Sequence, residues 1–248
     1  MDPYTGRPVP KQTSPWIYVG VGCGLVVLLA LIAIVGFTYL VYRQGKEMTA
    51  GFRDPKVRES KTREVLPYTT LPAGYYAGGA MSIPFFMDFA VFTDEQPTAG
   101  QAPDQGNFQD RSFIFMNMRH LRDNKEAMER YLRGEAPAPK DGAWTKSNVN
   151  FNAKELIKRG QLEVDGKTLL WQASRGQITH HGQSRDGIVT MVLPECGDSR
   201  LRFGIWIGPS PATSADKPVN QIDYTGTPAD PAALQEFLGH FRLCEGKG

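Results

Sequence analysis

Cysteine and histidine are scarce in this chain, net charge is small, and one long stretch carries no charge at all. Of three cysteines, only Cys196 and Cys244 lie outside the uncharged stretch. That even count is compatible with a pair bridged in an oxidising compartment and equally with two free thiols. The four histidines are scattered except for His180 and His181, so no spaced ligand motif announces a metal. A formal net charge of +2 leaves no basic footprint for nucleic acid. Beyond residue 65 the excess disappears, because residues 66 to 248 hold 19 Lys and Arg against 21 Asp and Glu. No cofactor motif is present, and none is expected to bind.

The stretch without charge runs from Ile17 to Tyr42. It exceeds the roughly 20 apolar residues that a helix needs to cross a bilayer, and it predicts a transmembrane helix over 17–42. A secretory signal has a shorter apolar region and a small-residue cleavage site, whereas here the chain continues Arg43-Gln44-Gly45-Lys46. The segment is therefore expected to stay, as a single-pass anchor in the lipid bilayer. Trp16 and Tyr18 at one end and Tyr39 and Tyr42 at the other suit the two membrane interfaces. Gly20 and Gly24 form one GxxxG face on which two such helices could associate. The glycines of Gly20, Gly22 and Gly24 follow no strand, so they do not read as a phosphate loop.

Around the span the chain divides simply. Residues 1–16 carry four prolines and few apolar side chains, which reads as a disordered tail. Residues 43–65 alternate basic and acidic side chains and read as a charged juxtamembrane linker. Residues 66–248 are long enough for one folded domain. The positive-inside rule, given Arg43, Lys46, Arg53, Lys56, Arg58, Lys61 and Arg63 after the span, argues for a cytoplasmic domain. Long domains translocate largely regardless of flanking charge, and the even cysteine count gives a small push towards an extracytoplasmic one.

Within that domain, "GYYAGGAMSIPFFMDFAVFT" predicts two strands, or one bent at Pro84, and "SFIFMNM" a third. "DNKEAMERYL" predicts a helix capped by Asp123 with Glu126 three residues on. "KELIKRGQLEVDGKTLLWQASRGQI" alternates polar and apolar residues on both sides of Asp165-Gly166, the dipeptide suited to a type I′ turn, and so predicts a long hairpin. "GIVTMVL" and "LRFGIWIG" make a further antiparallel pair. In "TPADPAALQEFLGHFRLC", Asp230 is the expected N-cap and Pro231 the first helical residue, with Leu234, Phe237, Leu238 and Phe241 on one face. The expected class is α+β: a mostly antiparallel sheet of about six or seven strands with one or two packed helices.

The opening "LPAGYY", the run of strands with a central hairpin and the closing "DPAALQEFLGHF" helix resemble, in layout, the PsbP-like modules of bacterial membrane-anchored chains. The resemblance implies a binding or accessory module of the cell envelope, with a protein or small-ligand partner, and it carries over no site residue.

Two polar features invite chemistry. "ITHHGQSRDG" sets His180 and His181 beside Ser184 and Asp186, on paper a base, a nucleophile and an orienting acid, which keeps open a membrane-tethered hydrolase or metal-dependent enzyme. Adjacent strand residues point to opposite faces, so the two histidines do not chelate one metal together, and a loop pair in solvent is the simpler account. Asp88, inside "PFFMDFAVF", is expected either to face water or to be paired.

Overall fold

The computed structural model describes residues 54–83, 85–96, 110–119, 122–137, 150–180, 183–212 and 217–245. The predicted tail and the predicted span at 17–42 lie outside these. Among the described residues no helix is long and apolar enough to cross a membrane.

Seven strands form one sheet: β1 (Tyr76–Ile83), β2 (Met87–Thr93), β3 (Ser112–Met118), β4 (Asn150–Val164), β5 (Lys167–His180), β6 (Gln183–Pro194) and β7 (Leu201–Pro209). Their spatial order is β1-β2-β3-β7-β6-β5-β4, and every neighbouring pair is antiparallel. Two meanders therefore meet at the centre, where β3 pairs with β7 from Ser112↔Ile207 to Met118↔Leu201. Three helices accompany the sheet: α1 (Pro55–Val65), α2 (Arg122–Arg133) and α3 (Pro231–Leu238). The class is α+β, at the upper end of the expected strand count.

Local chemistry accounts for the element ends. Asp165 and Gly166 both have positive φ, 50° and 66°, the pair of left-handed residues that a type I′ turn requires. The β4–β5 hairpin follows in register from Val164↔Lys167, with two irregularities in β4, one between Ala153 and Glu155 and one between Leu156 and Lys158. These kinks, with Lys154, Glu155, Lys158 and Arg159, blunt an edge strand that would otherwise offer unpaired backbone to other chains. Asp230 caps α3 by accepting from the Ala232 amide at 3.0 Å, and Pro231 occupies the first helical position, where no amide hydrogen is needed.

Four expectations shift. Pro55–Val65, read as the second half of the linker, is a helix whose N-cap Asp54 accepts from the Lys56 amide at 2.9 Å. It packs on β1 and β2 and buries Arg58, Thr62 and Val65. Asp123 lies within the first turn of α2, one residue after its start, rather than capping it. Helix α3 ends at Leu238 with Gly239 as C-cap, so Phe241 leaves the helical stripe; it is nonetheless fully buried and bridges to Tyr68. His240, expected in the helix, sits in the turn after it, its Nδ1 3.1 Å from the Thr70 carbonyl oxygen.

Alternation gives the sheet two apolar faces. On one, Leu169, Trp171, Val192, Phe113 and Phe92 meet Leu234, Phe237, Leu238 and Phe241. The Phe237 ring stacks on Trp206 at 4.2 Å and 7°, and the Trp206 indole donates to the Tyr75 hydroxyl at 2.7 Å. Gly204 lies under this cluster, where a Cβ would come within 2.5 Å of Val192 Cγ2 and 2.9 Å of the Phe113 ring. On the other face, Met128 and Leu132 of α2 pack on Met118, Leu170, Leu193, Leu201 and Phe203.

Candidate functional site

The β5–β6 hairpin carries the residues that the sequence offers for catalysis. Its register pairs Thr179 with Ser184 and His180 with Gln183. His181 and Gly182, which connect the strands, lie outside the described residues, as does the His180 side chain. The Ser184 hydroxyl is 2.7 Å from that of Thr179, a cross-strand hydroxyl pair. Asp186 Oδ1 accepts from Lys154 Nζ of β4 at 3.3 Å, with both side chains about half exposed. Ser184 and Asp186 thus share a face of β6, each engaged by a neighbouring strand. Among the described residues, no group of three or more His, Cys, Asp or Glu stands close enough to hold one metal ion.

Cys196 and Cys244 are joined, with Cα atoms 5.3 Å apart. The bond ties the segment after α3 to the β6–β7 turn. As a sulfur in a disulfide, Cys196 is not a nucleophilic thiol.

Asp88 is buried and paired with a partly buried arginine. It lies on β2 with Ala90 and Phe92 facing the core, and its carboxylate accepts from Arg119 Nη2 at 3.0 Å. Directly across the sheet stand Asn117 of β3 and, beyond it, Arg202 of β7. Arg202 donates to Asp198 Oδ1 at 2.8 Å. Partial burial works to raise the Asp198 carboxyl, but the hydrogen bond and charge of Arg202, helped by Arg200, outweigh it and hold the group below the ordinary range. Within the same row, Asn117 Oδ1 and Arg119 Nε are buried without a hydrogen-bond partner. The row thus runs from the buried Asp88, paired with Arg119, through the neutral Asn117 to the buried Arg202, which is paired with the more exposed Asp198.

A shallow groove of about 240 Å³ lies between β4 and the segment before α3, lined by Ile157, Lys158, Asp223, Tyr224 and Thr225. The Tyr224 hydroxyl is buried there without a partner, and burial raises its pKa against the opposing charge of Arg175. The volume falls short of the roughly 300 Å³ at which pockets enclose a small molecule.

The feature that sequence reading missed is the exposure of the aromatics at the β1–β2 tip. The backbone of the tip is pinned: the Phe86 amide donates to the Ile83 carbonyl at 3.1 Å, and the Arg119 amide donates to the Phe86 carbonyl at 2.9 Å. Yet Phe85 is 82% exposed, Phe86 49% and Ile83 38%. Phe85 also holds φ at 64°, a left-handed conformation that is an outlier for a bulky side chain. The available signal was composition, since "IPFFM" places two aromatics where a hairpin turn normally carries Gly, Asn or Asp. No protein-family model and no curated protein matches the chain, so its function has to be read from the geometry of its own side chains.

Proposed function

We propose that the chain is a membrane-anchored, non-catalytic binding or accessory module of the bacterial cell envelope, its layout of the PsbP-like kind. One observation carries the reading: among the described residues, the polar groups that catalysis would recruit already have partners within the domain. Ser184 is matched to Thr179, Asp186 to Lys154, Asp88 to Arg119, and Cys196 to Cys244. The uncharged run at 17–42 supplies the anchor, and the Cys196–Cys244 bond favours an extracytoplasmic domain, since disulfides persist where the compartment is oxidising.

The competing reading, a tethered hydrolase or metal-dependent enzyme, depends on the His180/His181 hairpin. A test needs no knowledge of the substrate. Cells lacking the chain are complemented with wild type or with a His181→Ala/Ser184→Ala/Asp186→Asn variant, and the envelope phenotype is scored. A binding module restores it fully with either. Restoration by wild type alone, at equal protein level in the membrane, would establish the enzyme.

A further inference from the structure

The β1–β2 tip combines three properties that rarely occur together. Its backbone is locked by the Phe86–Ile83 and Arg119–Phe86 hydrogen bonds, and below it Arg119 is held by Asp88 at 3.0 Å. Its side chains Ile83, Phe85 and Phe86 are nevertheless left substantially open to solvent, Phe85 almost wholly so. The left-handed Phe85 holds the chain in a costly conformation that a glycine would adopt freely. Single exposed apolar residues are ordinary. Three at one hydrogen-bonded hairpin tip, maintained against backbone strain, form a wedge.

We infer that this wedge inserts into the lipid surface, and so sets the orientation of the domain on the bilayer that the anchor occupies. The inference rests on the reading of 17–42 as a membrane anchor. Between Tyr42 and the first described residue, Asp54, lie 11 residues, a tether reaching at most about 40 Å. A domain held that close meets lipid at a high effective concentration, so weak insertion suffices. The wedge is exposed and carries two phenyl rings, which suits a deformable interface where such rings enter the headgroup boundary. The slightly acidic balance of residues 66–248 means that insertion is apolar in origin, and it persists at high salt. Tyr76, 40% exposed at the opposite end of β1, lies about 23 Å along the strand and stays in water.

The test uses the full chain in phosphatidylcholine vesicles, with a trace of lipid bearing a photoactivated acyl chain, and adducts mapped by mass spectrometry. Adducts are expected on residues 17–42 and on the peptide containing Phe85 and Phe86, at both low and high salt. Phe85→Ser/Phe86→Ser should lower the tip adducts about tenfold or more and leave those in 17–42 unchanged, while Tyr76→Ser changes neither. Labelling of 17–42 without the tip overturns the inference and leaves the anchor standing. Labelling of the tip alone removes the anchor and, with it, the tethered orientation of the domain; labelling of neither removes both. These tip side chains are exposed, so an unchanged thermal melt of the double variant checks that the fold is intact.

Discussion

Truncating Phe237 to alanine should remove a large part of the stability of the folded domain. The residue is 5% exposed and sits on the short helix α3, which cannot persist in water without docking. Its ring stacks on Trp206 at 4.2 Å and lies 4.9 Å from Tyr75, 5.2 Å from Phe113 and 5.5 Å from Phe241. Loss of a buried Phe costs about 3 to 5 kcal/mol, depending on how far the surroundings collapse into the space. Collapse is resisted here, because the Trp206–Tyr75 hydrogen bond of 2.7 Å fixes two walls. The cost should therefore fall near the upper end, about 4 to 5 kcal/mol, against a total of about 5 to 15. Gln235, on the outer side of the same helix, donates from Nε2 to the Glu163 carbonyl at 2.8 Å. Its alanine variant loses one exposed hydrogen bond, worth about 0.5 to 1 kcal/mol. Urea titration of full-length protein in detergent reads both. With a slope of about 2 kcal/mol per molar, the Phe237 variant should unfold about 2 M earlier than wild type and the Gln235 variant within about 0.5 M of it. Equal midpoints for the two would refute the docking of α3 and with it the account of the aromatic core.

Other outcomes follow from the same contacts. Reducing the Cys196–Cys244 bond, which closes a loop of 48 residues, should cost up to about 4 kcal/mol by the chain-entropy argument; titrations with and without reductant measure it, and coincident curves would mean that the bond contributes nothing. Asp88→Ala strands the partly buried Arg119 guanidinium and should destabilise by about 1 to 3 kcal/mol, with Asp88→Ala/Arg119→Leu recovering part of the loss. Asp198 has a folded pKa below its unfolded value, so its contribution is fully present above the unfolded carboxylate pKa near 3.9 and is lost as pH falls through the lower folded value. Below about pH 4 the wild-type midpoint should fall more steeply than that of Asp198→Asn, and parallel profiles would contradict the assignment. Protease added to intact cells or spheroplasts should digest residues 54–248; protection of that region with an accessible N-terminal tail would mean that the positive flank governs topology.

Strand order and strand number were within reach of the sequence to very different degrees. The β4–β5 hairpin is written in alternation and in Asp165-Gly166, and the start of α3 in Asp230-Pro231, because local backbone geometry alone decides both. The same Asp-Pro signature opens α1 at Asp54-Pro55, but that helix offers only Val57 and Val65 as apolar residues. It buries Arg58 and Thr62 instead, so no apolar stripe announced it and tertiary contact with β1 and β2 made it fold. The central β3–β7 pairing joins residues about 90 positions apart, a choice that no local pattern encodes. Asp88 was visible as an anomaly within an apolar strand, whereas its partner Arg119 depends on where β3 ends. Around the Phe85–Phe86 tip, Pro84 left open two strands or one bent strand; there are two, Tyr76–Ile83 and Met87–Thr93, and only the turn position shows that the rings are left outside.

Alkaline carbonate extraction of membranes, followed by N-terminal mapping of the pelleted protein, tests the anchoring on which the functional account stands. The account predicts full-length chain in the pellet, with its N-terminus before Ile17. Release of the intact chain into the supernatant, or a mature N-terminus beyond Tyr42, would contradict it.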